Sequence, residues 1–237
     1  MARVPSRVAS RFSTGLKRYQ PILHSLKARD VNESDTVTVV NDLLHDIFGY
    51  DKFLEISSEH SIKSTFCDLA IRLDNELSLL VEVKAIGSEL KSVHVKQAVD
   101  YAANQGVDWV ILTNGHTWQV YKVTFTKPID AELVAKINLL EVNLKDEEHL
   151  ESLWLLSKEG WQKSALDDHH ARCQAFNRFT IGAIVLSEPV LDVIRRELKK
   201  TGDGLKIGNC LLYTSDAADD LTRVDLGGRR IIKKKKK

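Results

Sequence analysis

The stretch Phe66-Cys67-Asp68-Leu69-Ala70-Ile71-Arg72-Leu73, then Asp74-Asn75-Glu76, then Leu77-Ser78-Leu79-Leu80-Val81-Glu82-Val83-Lys84 decides the fold. Apolar and β-branched residues fill both outer segments and the three residues between them are turn formers, so the stretch predicts a β-hairpin over 66–73 and 77–84. Side chains alternate along a strand. Leu77, Leu79, Val81 and Val83 are therefore expected on one face, and Ser78, Leu80, Glu82 and Lys84 on the other. Asp68 lies with Ala70 and Arg72, and one choice of sheet face sets it beside Glu82. Two close carboxylates repel unless a cation fills the gap or one of them takes up a proton. A hard divalent cation suits such a pair, and a nearby ammonium can activate water or steady a phosphate. The plainer alternative makes Glu82 and Lys84 solvated residues of an exposed sheet face, and Leu80 on that same face argues against it.

Working outward, Val37, Val40, Leu44 and Ile47 give the apolar spacing of a helix that starts near 32–34 and ends at Gly49. Ser92 is a plausible N-cap for a helix through Asn104, on which His94, Gln97 and Tyr101 are expected to form one polar stripe beside Val95, Ala98, Val99 and Ala102. Further strands are predicted over 54–62, 109–113 and 118–123, with an edge strand over 137–144. Asn114-Gly115 marks a tight turn joining the two strands that flank it. The order αβββαβ places helices over a central mixed sheet, because a crossover through a helix favours parallel pairing.

Acid, hairpin, E-x-K on a strand, then Gln97-x-x-x-Tyr101 on a helix: this order resembles the PD-(D/E)XK nuclease superfamily. It is most similar to the N-terminal domain of the R subunit of type I restriction enzymes. The likeness runs from about Asn32 to Val123 and takes in Phe48-Gly49-Tyr50-Asp51 and Ile111-Leu112-Thr113-Asn114-Gly115. The resemblance implies a restriction-endonuclease-like α/β fold, with Asp68 and Glu82 as the metal-binding acids and Lys84 as the lysine of the signature. It also implies Gln97 and Tyr101 near the DNA backbone, and a further acid on the first helix of the fold. For that acid Glu33 is the choice, with Asp35 and Asp42 as rivals. Cys67 stands where the signature has proline.

The chain has 237 residues, of which 43% are hydrophobic and 28% charged, a globular balance that excludes wholesale disorder. No apolar run approaches the ~18 residues of a membrane span, and the first residues lack the apolar core of a secretory signal, so a cytoplasmic address is expected. Cys67 and Cys173 give no disulfide framework. Residues 210–237, beginning Cys210-Leu211-Leu212-Tyr213-Thr214-Ser215-Asp216 and ending in five lysines, look like a translated sequencing adapter rather than native protein. Without them, residues 1–209 carry 26 basic and 29 acidic side chains, a net of −3. Bulk attraction to DNA is thus unsupported, and any contact must come from a local basic surface. Candidates are residues 1–30, with Arg3, Arg7, Arg11, Lys17, Arg18, Lys27 and Arg29, and Lys63, Lys91 and Lys96 beside the proposed cleft.

Four segments are expected: a basic helical 1–30, a nuclease-like domain over 31–145, a helical extension over 146–209, and the adapter-like 210–237. A helix over 13–27 is predicted to be interrupted or restarted at Pro21. The extension reads as three helices, about Leu150–Leu156, 165–179 and 181–200, with Pro189 kinking or dividing the last and Gly202 ending it. It would serve as a cap, a homodimer surface or the start of a longer domain. Asp167-Asp168-His169-His170 with Cys173 lacks the paired spacing of a zinc site and reads as surface. No G-x-x-x-x-G-K-[ST] loop is present, so no ATP-driven motor is encoded.

These readings lead to a Mg2+ (or Mn2+)-dependent DNA endonuclease domain. Asp68, Glu82 and the Val83 carbonyl would hold the metal, and Lys84 would orient or deprotonate water. The rival is a non-catalytic DNA-binding or scaffold module acting with a separate motor or specificity subunit; an RNA or damaged-DNA nuclease is a third reading.

Overall fold

The structure is a computed structural model that describes residues 4–62, 65–126 and 128–201. Arg3, Lys63, Gly202 and the segment 210–237 lie outside the described residues. The chain divides into two units, Met1–His170 and Ala171–Lys237.

In the first unit the order is α1 (Ser6–Ala28), α2 (Glu33–Asp46), β1 (Ile56–Ile62), β2 (Thr65–Leu73), β3 (Glu76–Val83), α3 (Ser92–Gln105), β4 (Trp109–Thr113), β5 (Thr117–Thr124), β6 (Asp130–Asn138), α4 (Glu147–Leu156) and α5 (Lys158–Trp161). Six strands form one sheet in sequence order, β1 to β6. All neighbours are antiparallel except β3 and β4, the pair joined by the α3 crossover. This is the α/β, restriction-endonuclease-like arrangement that the sequence implies, a mixed sheet flanked by helices, followed by α6 (Ala165–Ala175), α7 (Arg178–Val185) and α8 (Glu188–Thr201).

One sheet face carries Leu69, Ile71, Leu79, Val81 and Val83 in a core with Phe12, Leu16, Leu23, Leu43 and Leu44. The opposite face carries Ala70, Leu80, Val110 and Leu112 in a second core with Val95, Ala98 and Ala102 of α3. At roughly 25 cal/mol per Å2 of apolar area, two packed faces are the main stabilising term. The hairpin turn places Asp74 and Asn75 at φ 52° and 67°, a left-handed pair that short Asx side chains tolerate. The β4–β5 turn holds Gly115 at φ 87°, and Asn114 Oδ1 accepts from the Thr117 N–H at 2.9 Å.

Several expectations are corrected. Helix α1 starts at Ser6 and runs unbroken through Pro21. Its buried stripe of Phe12, Leu16, Tyr19 and Leu23 outweighs the one backbone hydrogen bond that proline removes. The edge strand is Asp130–Asn138 rather than 137–144. It is mostly exposed, so its apolar alternation is weak. Leu77 joins the α3 face, because the register slips from Ile71–Leu79 to Arg72–Leu77 and leaves Ser78 as a bulge. The helix expected over 165–179 ends at Ala175, where Asn177 caps the next by accepting from the Phe179 and Thr180 N–H groups. The division expected of the stretch over 181–200 is present: it falls after Leu186 and leaves Pro189 in the first turn of α8, where a missing N–H costs nothing.

Candidate active site

Asp68, Glu82 and Lys84 lie at the carboxyl end of β3, where the one parallel pair among the described strands begins its crossover. The β2–β3 ladder closes at Leu69–Val81, so Asp68 and Glu82 stand one step further along each strand, across from one another. Asp68 is half-buried, and its Oδ2 accepts from the Val83 N–H at 2.7 Å, an anchor that ties the first acid to the strand bearing the second. Strand β4 supports the same corner, since the Lys84 N–H donates to the Thr113 carbonyl at 2.8 Å.

Glu82 shares its face with Leu80 and is only 3% exposed. Lys84 Nζ donates to Glu82 Oε1 at 2.7 Å and stands 3.5 Å from Glu33 Oε2. Glu33 opens α2, and Asn32 caps that helix by accepting from the Asp35 N–H at 2.9 Å. Three acids therefore surround one ammonium. Burial, together with the charges of Asp68 and Glu33, pushes the Glu82 carboxyl up to about 7 despite the opposing effect of Lys84. Burial alone would lower the Lys84 pKa, but Glu82, Glu33 and Asp68 outweigh it and hold the ammonium above its ordinary value.

The rival acids are elsewhere. Asp42 pairs with Lys52 at 2.6 Å, and Asp35 lies with Asp42 beside Ile22, Leu26 and Arg29. Gln97 is exposed on α3, whereas Tyr101 is 1% exposed and packed in the α3 core. The expected polar stripe therefore does not form: the apolar face of α3 is wide enough to take in Tyr101 with Ala98 and Ala102. Cys67, in the signature's proline position, is buried. Its thiol donates to the Val81 carbonyl at 3.2 Å, and burial raises its pKa to about 12. Of the basic residues expected on 1–30, Arg11 and Arg18 are engaged by Glu159 and Asp46. Asp167 pairs with Lys122 at 3.2 Å and His170 is hydrogen-bonded to Glu132 at 3.0 Å, so this run makes surface contacts.

Among the described residues, no group of three or more His, Cys, Asp or Glu side chains is arranged to hold a metal ion. The expected donor set is smaller, two carboxylates and a carbonyl, which suits a cation that keeps several waters. The excess of acid over base around Lys84 marks a place where a divalent cation would relieve repulsion, so the donors fit such an ion in kind.

Fold and site together define an α/β protein of restriction-endonuclease-like architecture. Residues 38–137 match the model of the family described as Type I restriction enzyme R protein N terminus (HSDR_N), the family the motif order resembles. No curated protein and no solved structure matches the chain. No helix among the described residues is long and apolar enough to cross a membrane.

Proposed function

We propose that the chain is a Mg2+-dependent endonuclease domain that hydrolyses DNA phosphodiester bonds. The observation that carries this reading is one ammonium shared by buried Glu82 and helix-borne Glu33, with Asp68 directly across the hairpin. A purely structural ion pair has no need of the surplus acids.

Asp68, Glu82 and the Val83 carbonyl would hold Mg2+ or Mn2+, which when bound supplies Lewis-acid stabilisation of charge at phosphorus and a more acidic water. The protein's own residues do the positioning. The Val83 N–H fixes the Asp68 rotamer. Lys84, fixed through its backbone by Thr113, presents a protonated Nζ. Its surroundings favour orienting water and stabilising phosphate charge over abstracting a proton. Glu33 limits where Nζ can swing. Gln97, exposed on α3, would meet the nucleic-acid backbone, while buried Tyr101 would support the helix that carries it.

The absence of a three-carboxylate cluster among the described residues favours one other reading, a non-catalytic DNA-binding or scaffold module working with a separate motor or specificity subunit. A Mg2+-titrated cleavage assay on plasmid and single-stranded DNA separates the two. Cleavage that Asp68→Ala abolishes is expected; no metal-dependent cleavage by the unaltered protein would leave the scaffold reading.

A further inference from the structure

Outside the carboxyl ends of β3 and β4 lies a second polar cavity, of about 320 Å3, formed by the loop after Lys84, the β4–β5 turn, the end of α1 and strand β6. Open α/β sheets bind ligands at this end of their parallel strands, where the crossover leaves a crevice. Two lysines from distant parts of the chain line it: Lys27 in the last turn of α1 and Lys136 on β6. Neither forms an ion pair with another described residue. Lys136 is the direct cross-strand neighbour of Gln119, which lines the same cavity.

Gln119 is the informative residue. It is only 7% exposed, and its Oε1 is occupied by the Tyr121 hydroxyl, which donates to it at 2.9 Å. That bond fixes the amide's orientation, so both Nε2 hydrogens are left without an acceptor among the described residues. Nε2 is not sealed from solvent, so its two hydrogens are available to an acceptor that enters the cavity. His116, 7% exposed, also lines the cavity; burial and the charge of Lys27 hold its pKa below the ordinary value. The Asn114 side chain braces the wall by donating to the Ser88 carbonyl at 2.9 Å. Glu89, on the rim, is largely exposed and pairs with Lys91 at 3.4 Å. Two ammonium groups without an ion pair among the described residues and an amide with available donors therefore line the space; the acids nearby are Glu89, already paired with Lys91, and Asp30, whose carboxylate lies beside Gly87.

We infer that this cavity is a phosphate subsite that takes a backbone phosphodiester of a polynucleotide lying across the carboxyl end of the sheet. It deepens the nuclease reading by assigning a place for a phosphate away from the bond to be cut, and it rests on that reading only for the purpose of the contact. It also supplies the local basic surface that a body of net −3 requires.

The test is fluorescence anisotropy of a labelled DNA duplex with the full chain in EDTA, so that binding is read without cleavage. Lys27→Gln with Lys136→Gln should weaken binding roughly tenfold or more and reduce the salt slope by about one. Gln119→Leu, which changes no charge, should weaken binding about fivefold. An equal-charge control, Lys145→Gln with Lys199→Gln, both exposed, should change it less than about threefold. Loss in the control as large as in the cavity pair, or native binding by both Gln119→Leu and the lysine pair, overturns the inference. Thermal melts identify a variant that fails to fold; Lys136→Gln alone, on an exposed side chain, then carries the comparison. Competition by inorganic phosphate or thymidine monophosphate below the millimolar range, without duplex binding, would assign the cavity to a free nucleotide and refute a polynucleotide contact. Cleavage lost with duplex binding intact would sink the catalytic reading alone; active cleavage with binding insensitive to these variants would sink the subsite alone.

Discussion

Two corners of this protein are built from partly buried charge, and they are balanced differently. At one, Arg11 of α1 makes a two-pronged contact with Glu159 at 2.7 and 2.6 Å and also donates to the Ile47 carbonyl at 2.9 Å and the Phe48 carbonyl at 3.3 Å. One cation meets one anion, and the remaining donors are spent on the carbonyls that end α2. At the other, Lys84 faces Glu82, Glu33 and Asp68. The first corner is saturated and holds α1, α2 and α5 together. The second has more acid than Lys84 can neutralise, and that imbalance, rather than the presence of charge, is what supports the proposed metal site.

The comparison breaks most decisively at Lys84. Lys84→Ala should reduce the rate of plasmid nicking in Mg2+ by about a thousandfold or more while leaving duplex binding nearly unchanged; a fully active variant would remove Lys84 from the mechanism. At the saturated corner the expected effect is on stability. Gly49 sits at φ 85° with the Arg11 guanidinium 2.6 Å from where a Cβ would be, so Gly49→Ala should cost roughly 2–3 kcal/mol in a urea melt. Arg11→Ala strands two carbonyls and a carboxylate and should cost about 2 kcal/mol by the same measurement, without altering the metal dependence of cleavage.

The smallest effect sharpens the contrast by changing sign. Glu82 binds its proton more tightly in the folded than in the unfolded chain, so its stabilising contribution is complete below about 4.5 and is lost as pH rises towards about 7. Glu82→Gln, melted in EDTA, should therefore be more stable than the unaltered protein at pH 8 by roughly 1–2 kcal/mol and should show a flatter profile between pH 5 and 8. Its metal-dependent cleavage should be lost. A variant less stable at pH 8 would show that Glu82 is held there by its pairing with Lys84 and that the corner is balanced after all.

Much of this was legible in the sequence because a strand alternates with a period of two. Alternation allowed one choice of sheet face that puts Asp68 beside Glu82, although their exact register depends on the Ser78 bulge, and the β4–β5 hairpin followed from Asn114-Gly115. What was not legible depends on tertiary context. The Ser78 bulge turns Leu77 to the other face, and nothing in Leu77-Ser78-Leu79 announces it. Tyr101 reads as polar by its hydroxyl, yet its ring is buried because α3 covers a whole sheet face. Glu33 could not be separated from Asp35 and Asp42 until the direction of α2 was fixed. Of the cavity only Lys27 stood out, as one of the basic residues of 1–30; Gln119 and Lys136 did not, since the three come from separated segments.

The single parallel pairing also sets the order in which the molecule can assemble. Glu33, Asp68, Glu82 and Lys84 have all been synthesised by residue 84, and a local hairpin brings the two acids together. The outer edge of β3 stays open until α3 and then Trp109–Thr113 have emerged and docked. During that interval an apolar strand, Leu79-Leu80-Val81, has unpaired backbone groups on one side, and pairing it wrongly with another nascent chain is the chief hazard on the way to the native state. Slowing translation just after residue 84 should raise the aggregated fraction, and slowing it after residue 124 should not.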